Sequence, residues 1–177
     1  MGIELSASEP ELFDSLERGP LHWFREWPNA EVPPFGAGVY TVWDNAGALI
    51  YVGMSGRTID IDTKPRTKPY GLYTRLASHA AGRRSGDQFC VYVADRLVLP
   101  SLTSEQVRLI GAGALQFDAL VRSHIQNHLG YRLALVSSGA QARRLEGQIK
   151  GGVLSAGAPL LNPMTQRLRG VAASGVG

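Results

Sequence analysis

The sequence predicts a mixed α/β domain built around an antiparallel hairpin. Three observations lead there. Two runs, one opening on Gly38-Val39-Tyr40 and the other closing on Tyr51-Val52-Gly53, flank the turn-forming Asp44-Asn45-Ala46-Gly47, which is the pattern of a hairpin. Leu72, Tyr73, Leu76, Ala77 and Ala80 recur at helical spacing, and Ala142, Leu145, Ile149 and Val153 do so again. With 177 residues, 44% of them hydrophobic, the chain is long enough for one core and a short appendage.

Residues 1–35 read as an N-terminal helical appendage. Ser8 is an N-cap before Pro10 and Glu11, and the helix runs to about Trp27 with an interruption near Gly19-Pro20. Pro28, Pro33 and Pro34 end the segment. In the hairpin, a four-residue loop pairs Trp43 with Ala48, which sets Tyr40 opposite Tyr51 and Gly38 opposite Gly53. Opposed residues have Cβ atoms about 4.5–5.5 Å apart, so the two phenols share a face, either as a sheet-stabilising aromatic pair or as two hydroxyls at one site.

Beyond the hairpin, Lys64-Pro65 and Lys68-Pro69 exclude regular structure and predict a long exposed loop over residues 55–70. A helix over 72–81 stops at Gly82. Residues 88–94 read as a strand, and 104–129 as one or two helices broken near Gly111-Ala112-Gly113. Tyr131–Val136 reads as a buried strand. Ser137-Ser138 caps a helix running to about Val153. Pro159-Leu160-Leu161-Asn162-Pro163 is an ordered turn, and 170–177 a disordered tail.

Charge and composition narrow the function classes. The net charge is only +3, although the pI is about 9.2, a balance that permits nucleic-acid binding without requiring it. The cations cluster: Arg57, Lys64, Arg66 and Lys68 in the loop, Arg83-Arg84 after the helix, Arg167 and Arg169 near the C-terminus. No apolar run approaches the roughly 18 residues that span a bilayer, and Met1-Gly2-Ile3-Glu4 has no basic region leading into an apolar stretch. A soluble, cytoplasmic protein with no membrane partner is expected. The lone Cys90 makes no internal disulfide and no cysteine metal cluster, and is expected as a buried small hydrophobe.

The chemistry-bearing residues are few. Arg75 and His79 lie four apart on one helix, at the border of its apolar arc; a forked permanent cation beside an imidazole suits a phosphate. Glu146 falls inside the apolar stripe of the last helix, while Arg143, Arg144, Gln148 and Lys150 lie mostly outside it. A core-facing carboxylate is costly unless it meets a cation, such as Arg75, or a metal. Magnesium often takes one or two protein carboxylates and keeps several waters.

Taken together, Gly38-Val39-Tyr40, Tyr51-Val52-Gly53, Arg75 with His79, Glu146 and Leu161-Asn162-Pro163 resemble the ordered motifs of the GIY-YIG nuclease superfamily over about residues 36–163. The resemblance implies an α/β (α+β) domain over 36–169, with a small central antiparallel sheet flanked by helices. It implies a DNA endonuclease that uses Mg2+ or Mn2+. The implied roles are Tyr40 activating or positioning the attacking water, Tyr51 and Arg75 holding the scissile phosphate, His79 assisting proton transfer, Glu146 binding metal and Asn162 bracing the site. Met54 stands where the family's repair nucleases carry lysine, while Arg75-x-x-x-His79 is closer to the restriction-enzyme branch, for which a homodimer would suit double-strand cutting. The long span from Arg75 to Glu146 implies an insertion at about 87–129. The basic residues Arg57, Lys64, Arg66, Lys68, Arg83 and Arg84 are the expected DNA contacts. The alternative is a nucleic-acid-binding module on the same scaffold with weak turnover or none.

Overall fold

The computed structural model describes residues 7–60, 62–65 and 67–162. Helix α1 (Glu9–Arg18) starts where expected, with Glu11 Oε2 accepting from the Ser8 N–H at 2.7 Å and its hydroxyl at 2.8 Å. It does not continue to Trp27. Gly19 is extended, φ −60° and ψ −179°, because the residue before a proline is driven out of the helical region. His22–Trp23 instead form a short strand, β1, and Phe24–Glu26 a single 3-10 turn.

The hairpin of β2 (Phe35–Asp44) and β3 (Leu49–Ser55) forms, but in a different register from the simple count. The Asp44 carboxylate accepts from the Ala46 and Ala48 N–H groups at 2.9 and 2.8 Å, and a bulge lies between Val42 and Trp43. Trp43 therefore pairs with Leu49 and Val42 with Tyr51. Tyr40 faces Gly53 and Gly38 faces Ser55, so the two tyrosines are diagonal neighbours rather than opposed.

The loop after β3 leads to β4 (Tyr70–Gly71), which pairs in parallel with the start of β2, and to α2 (Leu72–Ala81), closed by a left-handed Gly82. The predicted strand at 88–94 is a helix, α3 (Gln88–Val93), running on into a π-helical turn at Ala94–Val98. Phe89, Cys90, Val93, Ala94 and Val98 are all buried; their spacing is that of a helix stripe, and it overrides the β-propensity of Phe-Cys-Val-Tyr-Val. Next come α4 (Ser104–Gly111) and α5 (Phe117–His128), then β5 (Leu129–Val136) and α6 (Gly139–Lys150), capped by the Ser138 hydroxyl. Helix α6 ends at Lys150, leaving Val153 beyond it and 51% exposed.

The fold is thus mixed α/β, a small sheet flanked by helices. Strand order is β1-β5-β2-β3, antiparallel throughout that path. Alternate side chains of β2 enter two cores. Tyr40 and Val42 pack with Leu72, Leu76, Phe89 and Ile125 on one face, while Ala37 and Val39 pack with Leu12, Leu16, Leu145 and Ile149 on the other. Helix α1 therefore contributes to the second core. Arg66, Pro163, Arg167, Arg169 and the tail at 170–177 lie outside the described residues. Among the described residues, no helix is long and apolar enough to cross a membrane.

Leu16 is fully buried beneath the sheet. Leu16→Ala should lower unfolding stability by about 2–5 kcal/mol, measured by denaturant titration; a loss below 1 kcal/mol would mean α1 is only loosely attached.

Candidate active site

A cavity of about 230 Å³ lies where the end of β3 meets α2, α3 and α6, and its lining includes Tyr40, Tyr51, Arg75, His79 and Glu146. These five come from four segments spread over more than a hundred residues. Gly53, Met54, Arg57, Asp87, Gln88, Phe89 and Lys150 complete the wall. Asn162 stands behind it: its Oδ1 accepts from the Val52 N–H at 2.7 Å, and its Nδ2 donates to the Val52 carbonyl at 2.9 Å. It thereby fixes the strand next to Tyr51.

At the base of the cavity is a chain of three buried polar side chains. Tyr40 and His79 are each 1% exposed and Asp87 2%. The Tyr40 hydroxyl lies 2.7 Å from His79 Nε2, and His79 Nδ1 lies 2.7 Å from Asp87 Oδ2. Burial shifts His79 toward the neutral imidazole, against the pull of Asp87. Burial also tends to raise the Asp87 carboxyl, but hydrogen bonds from His79, Ser78 and the Cys90 N–H outweigh it and hold the pKa at about 2. An ionised Asp87 can only accept, so His79 Nδ1–H donates to it and Nε2 accepts the Tyr40 proton. Tyr40 is pushed well above the ordinary phenol range, first by burial and then by Tyr51, and Tyr51 is raised by burial and Glu146. Both are neutral phenols.

Asp87 is the residue that sequence reasoning missed. With 88–94 read as a strand it was an unremarked loop position, whereas it is the N-cap of α3, accepting from Cys90 N–H at 3.3 Å. An Asp directly before a stripe of helical spacing was the available signal. His79, Asp87 and Cys90 also present ligand-type atoms within 4.8 Å of one another. His79 Nδ1 is bonded to Asp87 at 2.7 Å and the Cys90 thiol donates to the His79 carbonyl at 3.8 Å, so the three residues form a hydrogen-bond network.

The charged rim is less enclosed. The Glu146 side chain is 18% exposed and pairs with Lys150 at 3.1 Å, not with Arg75. Arg75 and Arg57 are exposed and make no ion pair among the described residues. Gly139 explains the placement of Arg57: a Cβ there would lie 2.4 Å from the Arg57 carbonyl oxygen, so only glycine lets the loop rest on the start of α6. Of the other expected contacts, Lys64, Lys68 and Arg83 are exposed away from the lining. Arg84 is engaged elsewhere, 2.5 Å from Asp118 and over the Phe117 ring.

Comparison with protein-family models, with curated proteins and with solved structures finds no match to this chain.

Gly53 has a steric cause. A Cβ on it would stand 2.2 Å from the Tyr40 hydroxyl oxygen, and that oxygen is held by His79. Gly53→Ala should cost about 1–3 kcal/mol and displace the phenol, seen as lowered thermal stability and an altered His79 ring resonance by NMR; unchanged stability would mean that the phenol has room to shift.

Proposed function

We propose that the protein is a divalent-metal-dependent DNA endonuclease of the GIY-YIG type, hydrolysing phosphodiester bonds. The observation that carries this reading is the shared cavity, which gathers Tyr40, Tyr51, Arg75, His79 and Glu146 around one space. A structural role for each residue separately gives no reason for five scattered polar groups to converge.

The donor set fits a hard cation. Glu146 is partly open to the cavity, and a single carboxylate with water and phosphate oxygens suits Mg2+ or Mn2+. Its present partner is a weak competitor: an i,i+4 pair whose lysine is 42% exposed contributes only about 0.3–0.5 kcal/mol. When bound, the cation polarises the phosphate and neutralises charge on the departing oxygen.

The chain's own residues supply the rest. Tyr40 donates its proton to His79 Nε2, which leaves its oxygen lone pairs for a proton of the attacking water. As the water's proton moves to Tyr40, the phenol proton moves to His79, and Asp87 stabilises the resulting imidazolium. Such a relay needs no phenolate, which the raised pKa of Tyr40 disfavours. Tyr51, a neutral phenol, donates to a phosphate oxygen, and Arg75 and Arg57 offset the growing negative charge. Lys150 supplies a cation to the cavity that Met54 does not. Such an enzyme acts on DNA in the cytoplasm, and with one such cluster of side chains among the described residues, double-strand cleavage needs two copies or two encounters.

Glu146→Ala should cut supercoiled plasmid in Mg2+ at least about 100-fold more slowly than wild type, with the same melting temperature. A variant as fast as wild type removes the metal role. A wild type that retards DNA in gels yet leaves plasmid intact in both Mg2+ and Mn2+ points to the binding module instead.

Asp87→Asn keeps a helix cap but presents an N–H to His79. It should lower the single-turnover rate roughly 10²–10⁴-fold while leaving DNA affinity in EDTA unchanged. Because burial lowers the His79 pKa, the neutral imidazole persists at pH 7, and the acid limb of the wild-type rate should lie below about pH 6.5. A limb at pH 8 would exclude His79 as the proton acceptor.

A further inference from the structure

We propose that a second, larger cavity beside the catalytic one is a nucleotide subsite, seating the unit of a DNA strand next to the scissile phosphate; the adjacency to a scissile bond rests on the nuclease reading above. This cavity is about 550 Å³ and is lined by Met54, Ser55, Gly56, Arg57, Tyr70, Thr74 and Arg75. Three of these, Met54, Arg57 and Arg75, also line the catalytic cavity. The two spaces therefore adjoin across a common wall that carries both arginines.

The electrostatics of the two cavities differ in a way that selects the ligand. The catalytic cavity contains the carboxylates of Glu146 and Asp87. Among the described residues, the lining of the larger one holds two guanidinium groups, the hydroxyls of Ser55, Tyr70 and Thr74, and no carboxylate. An anion entering it meets no carboxylate in that lining, and neither arginine makes an ion pair among the described residues. Two other arginines are already engaged, Arg84 by Asp118 and Arg144 by Glu9. The cavity also opens at the first turn of α2, where Thr74 sits, and the peptide dipole adds positive potential there.

Size and rigidity point to one nucleotide unit rather than an isolated anion. A volume of 550 Å³ falls within the roughly 300–1,000 Å³ of small-ligand sites, far more than an inorganic phosphate needs. The Arg57 loop is pinned: the Ile59 carbonyl accepts from the Gly139 N–H at 2.7 Å, and the Ile59 N–H donates to Gly56 at 2.8 Å. A polynucleotide carries phosphates at regular intervals, so arginines on the wall between two adjoining spaces can hold one phosphate while the next unit occupies the neighbouring space.

Thr74 lines only the larger cavity and is exposed on α2, so Thr74→Trp fills that space from outside. Binding is read by fluorescence anisotropy of a labelled single-stranded deoxyoligonucleotide in EDTA, where no cleavage occurs. Thr74→Trp and, separately, Arg57→Ala should each weaken binding about tenfold or more, while Glu146→Ala stays within about twofold. Hydrolysis of bis(4-nitrophenyl) phosphate, which has no nucleotide to seat, should proceed at the wild-type rate in Thr74→Trp. Wild-type oligonucleotide affinity in Thr74→Trp and Arg57→Ala, or no affinity in the wild type, overturns the proposal. If both variants lose affinity while the wild type hydrolyses neither DNA nor the aryl ester, the subsite stands and the nuclease reading falls.

Discussion

Everything at the site is held to the Tyr40–His79–Asp87 chain. Its three side chains come from the central strand, from α2 and from the cap of α3, and each is at most 2% exposed. A buried donor or acceptor left without its partner costs roughly 1–3 kcal/mol, so each member constrains the other two. With His79 locked against both β2 and α3, Arg75, one turn earlier on α2, is carried to the mouth of the cavity. The same lock sets the imidazole tautomer, and with it the direction in which a proton can travel.

The sheet explains why the cavity lies where it does. Helices α2 and α3 pack on one face and α1 and α6 on the other, and groups from opposite layers meet only at the border of the sheet. Strand β3 is that border. Gly53 and the bulge at Val42/Trp43 thus act together: the bulge moves the register so that Tyr40 lies opposite a residue with no side chain. The phenol crosses over that gap to reach His79.

Much of this was legible in the amino-acid sequence. The helix at 72–81, the strand leading to Val136, the Ser138 cap and the break near Gly111–Gly113 follow from periodicity and caps. The polar residue out of place at Glu146 was visible on a helical wheel, and it does line the cavity. The hairpin register was not legible, because a side-chain carboxylate capturing two turn amides leaves no mark on alternation. The α3 segment was misread because β-branched and aromatic residues favour strands locally, while packing against Tyr40 and α5 favours a helix. That misreading concealed Asp87. The partner of Glu146 was on its own helix, four residues on, and only the path of the side chains decides between Lys150 and Arg75.

The turn at Leu160–Asn162 has a consequence for the protein's behaviour in solution. The Leu160 and Leu161 N–H groups donate to the Leu49 and Ile50 carbonyls, and Asn162 binds both polar groups of Val52. These bonds occupy the outer rim of β3 in place of another strand. A bare strand rim is a template onto which a foreign chain can add. The turn thus acts as a selvedge along the sheet, and removing it would leave those β3 groups open to a foreign strand.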